Sequence, residues 1–183
     1  MADTVAETPR LRLRTWDEDD ADRFYAIMNT PSVMRFLGGV QAPDAWRAAF
    51  DRLMTYQREL GFTFWIVERL ADREMLGFCG LKRVNYDGAP NAGEVEIGWR
   101  LRDSAWGQGI AKEAAIATLD LGFTRFAAPS IVAVTTLHNR ASWGLMERLG
   151  MVRDPALDYD DPRLPALNPM RQWRLLPEAW TSR

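Results

Sequence analysis

Residues 94–135 constrain the fold more than any other stretch of the chain. Glu94 to Leu101 read as a strand, Trp106-Gly107-Gln108-Gly109-Ile110-Ala111 as a glycine turn, Lys112 to Phe126 as a helix, and Ile131 to Thr135 as a short β-branched strand. Two strands joined through a helix run parallel in one sheet, with a right-handed crossover. The glycines give the turn backbone conformations closed to other residues and leave no Cβ in a ligand's way. The first amides of the following helix lack intrahelical partners and lie at the positive end of its dipole, which favours a phosphate or pyrophosphate. The spacing is neither GxGxxG nor GxxxxGK[ST], so a dehydrogenase or nucleoside triphosphate loop is disfavoured.

The flanking segments supply the rest of a mixed sheet. Leu11 and Leu13 alternate with polar residues in a first strand ending near Thr15. Thr15-Trp16-Asp17-Glu18 has the pattern of a capping box, and Ala21, Phe24, Tyr25 and Met28 make the apolar face of a helix that Pro31 ends. A second helix opens at Pro43 and buries Trp46, Ala49, Phe50 and Leu53. Phe62 to Glu68 and Met75 to Val84 read as strands around a 71–74 hairpin, and residues 85–91 as a loop. Behind the glycine turn, Ile110, Ala114, Ala117 and Leu121 form a stripe facing a sheet. Asn139 caps a helix that stops at Gly150, a left-handed C′ position. Asp154 to Pro169 is a loop, and Met170 to Leu175 the last strand. The expected class is α+β, with helices flanking a mixed central sheet and a crossover joining the fourth strand to the fifth.

At 183 residues, 47% hydrophobic and 26% charged with net charge −2, the chain fits one globular domain. Its basic residues are dispersed, against a nucleic-acid surface. No segment approaches the apolar length of a membrane span and the first 20 residues lack an apolar core, so no membrane is expected and cytoplasmic residence is. The single cysteine, Cys79, allows no internal disulfide and reads as a buried strand thiol. A zinc site needs four Cys or His ligands, so no metal is expected.

The glycine turn resembles the coenzyme A pyrophosphate loop of the GCN5-related N-acetyltransferases, written [Q/R]xxGx[G/A]. Within that superfamily the chain is similar to the ribosomal-protein N-terminal acetyltransferases of the RimJ/RimL type. There a strand reads roughly EIGxxL, the loop WGxGxA with Glu-Ala soon after, and a later segment NxxSxxxxxxxGF. Here these stand as Glu96-Ile97-Gly98-Trp99-Arg100-Leu101, as Trp106 to Ala111 with Lys112-Glu113-Ala114, and as Asn139-Arg140-Ala141-Ser142 running on to Leu149-Gly150-Met151. The likeness starts at Thr8-Pro9-Arg10-Leu11-Arg12-Leu13-Arg14. Trp106 replaces the general Gln or Arg, as in this branch, and Met151 stands where Phe is usual. The resemblance implies one N-acetyltransferase domain over 8–178, with parallel strands 4 and 5 splayed into an acetyl-CoA cleft where the pantetheine arm lies like an added strand.

Acetyl transfer from a thioester needs a bound carrier, a neutral amine, a stabilised oxyanion and a proton for the departing thiolate. The resemblance puts Trp106, Gly107, Gln108, Gly109, Ile110, Ala111 and Lys112 at the pyrophosphate. Main-chain groups at Trp99 and Leu101 pair with pantetheine, and an amide there polarises the thioester carbonyl. Core packing is compatible with both side chains. Glu94 and Glu96, two apart in a strand, share a face, and either can take a proton from an ammonium. Glu96 holds the EIG position, Glu94 is the fallback, and solvated acids remain the alternative. Ser142 and Asn139 lie three apart on one helical face, where both can meet the carrier, and are expected to bind it. Many superfamily members use a tyrosine further along that helix as the acid, where this chain has Met146. The related branch has serine at the place of Ser142, which makes it the candidate hydroxyl donor. His138 reads as structural, and the aromatic residues as core.

These features point to an acyltransferase that moves acetyl from acetyl-CoA to a primary amine in a ternary complex. The amine is a protein N-terminal α-amine or a small amine, and the enzyme a monomer or homodimer. A non-catalytic acyl-CoA-binding sensor or assembly module is the rival, and a nucleotide-binding protein the third reading.

Overall fold

A computed structural model describes residues 2–181. Its strands are β1 Thr4–Glu7, β2 Leu11–Arg14, β3 Phe64–Arg69, β4 Met75–Arg83, β5 Val95–Leu101, β6 Ile131–Thr136, β7 Val152–Arg153 and β8 Met170–Leu175. Its α-helices are α1 Asp20–Met28, α2 Pro31–Met34, α3 Pro43–Leu60, α4 Ile110–Thr124, α5 Arg140–Arg148 and α6 Pro177–Thr181. The strands follow the order β1-β2-β3-β4-β5-β6-β8-β7. β5 and β6 are parallel, whereas β1–β2, β2–β3, β3–β4, β6–β8 and β7–β8 are antiparallel. This is the α+β class with a mixed sheet that the sequence predicts. The strands expected as fourth and fifth are β5 and β6, because Thr4–Glu7 adds an edge strand. Four residues are too few to show a period, and pairing with β2 at Ala6↔Leu13 and Glu7↔Arg12 decides their state.

Two compact units divide the chain. The first comprises residues up to 35, 39–82 and 98–118. Its core is aromatic, with Trp16, Phe24, Trp46, Phe50 and Phe78 buried together. Trp16 meets Phe24 edge-on at 4.9 Å, and Phe24 stacks on Trp46 at 5.0 Å. Rings of this size each bury about 150–250 Å², several kcal/mol gross at about 25 cal/mol per Å². Here the apolar faces of α1 and α3 become a core. Pro43 opens α3, and Gly61 at φ +72° closes it.

Two local expectations change. No capping box forms at Thr15, because its Oγ accepts the Asp3 N–H at 2.8 Å and α1 begins only at Asp20. In α4 the most deeply buried residues are Ile110, Ala114, Ala115, Thr118 and Leu119, whereas Ala117 and Leu121 are only half-buried. A threonine can hold the buried face because its hydroxyl lies 3.4 Å from Cys79 Sγ. Burial pushes that thiol up to about 12, so Cys79 is an inert core residue.

The second unit comprises residues 36–38, 83–97 and from 119 on. Six residue pairs join β6 to β8, from Ile131↔Leu175 to Thr136↔Met170. The parallel register of β5 with β6 covers only Val95↔Ile131 and Glu96↔Val132. A ladder this short is what splayed strands require. Val84, Val132 and Leu157 form a small core beneath Tyr86 and Ala89. Asn139 caps α5, its Oδ1 accepting Ser142 N–H at 3.3 Å, and Gly150 follows its end at φ +78°. Residues 154–169 carry short 3-10 turns at Pro155–Leu157 and Pro165–Leu167.

Candidate active site

In the first unit, β5 ends at Leu101 and the chain reaches α4 through the 3-10 turn Asp103–Ala105 and the glycine turn. Gly107 and Gly109 take φ of +72° and +76°, the left-handed region where a side chain is strained. A Cβ on Gly107 would meet nothing within 4 Å, and one on Gly109 only Arg10 Nη2 at 3.5 Å, so backbone conformation rather than space selects glycine. Ile110, Ala111 and Lys112 open the 15-residue α4, and their amides are the ones an α-helix leaves without internal acceptors. Ile110 is buried, Ala111 half-buried and Lys112 exposed. A turn with two Cβ-free residues leading into the positive end of a long helix fits an anionic group such as a pyrophosphate.

Side chains brace this turn from outside. Trp106, half exposed, donates Nε1–H to Leu101 O at 2.8 Å, and Gln108 donates Nε2–H to Ser104 O at 2.7 Å. Leu101 O, one of the main-chain groups expected to face pantetheine, therefore already serves one donor. A further brace comes from far away in sequence. Glu113, in the first turn of α4, accepts the Thr8 hydroxyl at 2.6 Å, the Arg10 N–H at 3.0 Å and Arg10 Nε–H at 2.6 Å. Arg10 Nη1–H then reaches Gln108 O at 3.0 Å. Burial raises the Glu113 pKa, but the bonds from Thr8 and Arg10 outweigh it and hold it below the ordinary carboxylate value. Spacing could not have found this group. The residues stand about a hundred positions apart, and their one signal was membership of the Thr8–Arg14 and Lys112-Glu113-Ala114 stretches that carry the family likeness.

Along β5 itself, Gly98 sits under the Phe64 ring, where a Cβ would come within 2.7 Å of the ring. Phe64 stacks on Phe78 at 4.7 Å, and the Arg100 guanidinium lies 5.1 Å from the Phe78 ring centre. Trp99 is half-buried and Leu101 buried.

The expected strand is shorter by one residue: Glu94 lies in the bend just before β5 and Glu96 within it, and the two glutamates of the second unit differ in environment. Glu94 is gripped by Arg174 through both oxygens at 3.0 Å each, by Ser130 at 2.5 Å and by Asn91 at 2.8 Å. Burial raises its pKa, yet these donors prevail and the carboxyl lies below its ordinary value. Glu96 is 4% exposed and its Oε1 accepts the Tyr86 hydroxyl at 2.8 Å. Burial, and then the charge of Glu96, hold the Tyr86 phenol well above its ordinary pKa, so it keeps the proton it donates. Tyr86 stacks on Tyr159 at 5.7 Å. The Tyr159 phenol is also pushed up, by burial and by the charges of Glu96 and Asp161. Arg163, bonded to Asp161 Oδ2 at 2.7 Å, lies 5.7 Å from the Tyr86 ring centre. Both tyrosines lie in loops, where no periodicity marks them in the sequence.

The α5 pair is joined locally. Asn139 Oδ1 serves the helix cap at Ser142 N–H, and Ser142 is half-buried in the first turn. His138 is exposed, and Met146 is buried in the core. Among the described residues no group of three or more His, Cys, Asp or Glu could hold a metal, and no helix is long and apolar enough to cross a membrane.

Known proteins share sequence or fold with this chain. The family described as acetyltransferase (GNAT) domain matches residues 10–152. The Bacillus subtilis protein YkkB is 32% identical over 151 residues, covering 82% of this chain and 86% of its own. The B. subtilis N-acetyltransferase YoaA, itself uncharacterized, is 27% identical over 157 residues, covering 84% and 85%. Among solved structures, an acetyltransferase from Agrobacterium tumefaciens superposes with a TM-score of 0.79 at 25% identity, over 93% of this chain and 92% of that one. Two more distant structures share the fold. RimL, a ribosomal L7/L12 α-N-protein acetyltransferase, has a TM-score of 0.74 at 16% identity, over 96% of this chain and 95% of its own. Spermidine N-acetyltransferase from Vibrio cholerae, solved with CoA and spermine, has 0.73 at 16%, over 95% and 99%. With the family match spanning most of its length and the glycine turn in its place between parallel strands, the chain belongs to the GNAT family and is an acyltransferase.

Proposed function

We propose that residues 8–178 form an acetyl-CoA-dependent N-acetyltransferase that moves acetyl to a primary amine by direct attack in a ternary complex. One observation carries this reading. Gly107 and Gly109, both left-handed, stand at the positive end of α4, where amides from Gly107 to Lys112 can surround a pyrophosphate. CoA-bound spermidine N-acetyltransferase shares the fold and supports acetyl-CoA as donor. The acceptor is an amine, either a protein N-terminal α-amine as for RimL or a small amine as for the spermidine enzyme.

In this reading main-chain groups near Trp99 and Leu101 hold the donor in extended form, and an amide there polarises its carbonyl. Glu96 takes the proton from the incoming ammonium, directly or through water. Its carboxylate suits this better than that of Glu94, which four hydrogen bonds hold as an ion-pair partner of Arg174. The freed nitrogen forms its bond to the carbonyl carbon and sheds its second proton to solvent, the carbon–sulfur bond breaks, and Ser142 hands its hydroxyl proton to the thiolate, regaining one from solvent. Asn139 sets the first turn of α5 from which Ser142 projects.

The test is thiol release from acetyl-CoA with a panel of peptides differing in first residue, polyamines and other small amines, alongside calorimetric titration of CoA. Amine-dependent thiol release identifies the acceptor class. CoA binding without turnover on any amine would sink the catalytic assignment.

A further inference from the structure

We infer that Arg10 and Glu113 are positioning residues for the glycine turn, holding its Gln108–Gly109 peptide in the orientation that presents an amide to the donor's pyrophosphate. The inference rests on the assignment of that turn to the pyrophosphate, and goes beyond it by assigning work to residues outside the turn.

In a trans peptide the carbonyl and the N–H point in opposite directions. Arg10 Nη1–H bonds the Gln108 carbonyl at 3.0 Å, so the Gly109 N–H of the same peptide is aimed away from Arg10. Turned over, the peptide would aim a carbonyl oxygen at a ligand carrying negative charge. A flip turns ψ of Gln108 and φ of Gly109, and on its side Gly109 imposes little backbone preference against it. An external fixture is needed, and the guanidinium supplies one with its planar fork. Nε–H goes to Glu113 in the first turn of α4, and Nη1–H to the turn itself. One side chain thus bridges both ends of the segment containing Gly109. Glu113 is anchored in turn by the Thr8 hydroxyl and the Arg10 main-chain N–H, and Thr8 Oγ1 accepts the Leu11 N–H at 3.0 Å where β2 begins. The fork is therefore referenced to a sheet strand. Two roles join in this arrangement. It pre-organises the turn, so that less ordering is left to be done on binding. It also neutralises Glu113, which would otherwise place a bare carboxylate on the first turn of the helix whose amides receive the phosphate.

The test uses Arg10→Met, which keeps the aliphatic stem, Arg10→Lys, which keeps the charge without the fork, and Glu113→Gln. Measured on the full chain are apo melting temperature, CoA dissociation constant by calorimetry, and KM and kcat for acetyl-CoA with a saturating amine. Losing a charge-assisted bond and the turn's orientation should raise the CoA dissociation constant and KM about tenfold or more. kcat at saturating acetyl-CoA should change little and the amine KM not at all, a split that general destabilisation does not produce. Arg10→Lys should recover only part of the affinity, and Arg10→Met combined with Glu113→Gln should be no worse than the poorer single variant, because the two act as one unit. Folded variants that bind CoA like the wild type would overturn the inference, as would a fall in kcat with KM unmoved. If Arg10→Met does not fold, Arg10→Lys and Glu113→Gln decide by the same criteria. Wild-type protein that fails to bind CoA would remove the pyrophosphate assignment and this inference with it, whereas a binding wild type with unaffected variants removes only the inference.

Discussion

Glu94 and Glu96 show how two identical side chains two residues apart acquire different chemistry from their neighbours. Four donors hold Glu94, whereas at Glu96 the phenol of Tyr86 bonds one oxygen. Glu96→Gln should therefore slow turnover at pH 7 with CoA affinity intact, and regain part of the loss as pH rises toward the amine's own pKa, about 8 for an α-amine and above 10 for a lysine. A pH–rate profile overlaying the wild type would move the base elsewhere. Ser142→Ala should lower kcat by roughly tenfold or more while leaving CoA affinity nearly unchanged, since a proton delivered to sulfur matters only as the bond breaks. Undiminished turnover in that variant would point to water as the donor. Tyr159 carries the opposite stability signature. Its hydroxyl is buried and meets no hydrogen-bond partner among the described residues. Tyr159→Phe should leave the melting temperature equal or raised, because an unsatisfied buried hydroxyl costs about 1–3 kcal/mol. A marked drop in thermal unfolding experiments would mean that the hydroxyl is satisfied.

At the scale of elements, α4 and the turn before it act together. The helix supplies free amides, and the turn supplies two left-handed residues that let the chain enter it from β5. Because a Cβ at Gly109 finds ordinary contact distance, Gly109→Val should fold and be penalised through its φ, by about 1–3 kcal/mol. CoA affinity should fall about tenfold or more on that scale, read by titration calorimetry on protein whose far-UV spectrum matches wild type. Gly98 differs, since the Phe64 ring leaves no room for a side chain there, and any substitution disturbs packing first.

Over the whole molecule, carboxylates bonded to arginine set the acid limb of stability. Arg163 lowers the Asp161 pKa through its hydrogen bonds, against burial that raises it. At Glu94 burial raises the pKa, and the donors led by Arg174 lower it further than burial lifts it. A depressed folded-state pKa contributes stability in full above the unfolded value, about 4.3 for Glu, and loses it as pH falls through the folded value. Melting temperature should thus be flat near neutrality and drop below about pH 4. Glu94→Gln should lower the neutral plateau and flatten part of that drop, as a pH series of thermal melts will show.

By itself the sequence determined the longer elements and their order. Apolar spacing marked α1 and α3, alternation and β-branching marked the longer strands, and Asn139 and Gly150 marked the ends of α5, because these signals act over one or two turns of chain. The glycine turn and its flanks were legible for the same reason, and with them the family. Only the tertiary structure decided what depends on distant partners. β1 exists through its pairing with β2, α1 starts late because Asp3 takes the Thr15 hydroxyl, and the buried face of α4 shifts to include Thr118 because Cys79 lies opposite. The contrast between Glu94 and Glu96 depends on Arg174 and Tyr86, and the brace on the turn joins Thr8 and Arg10 to Glu113. Hydrogen bonds and charge act over a few ångströms in space whatever the separation along the chain, and that proximity is what folding adds.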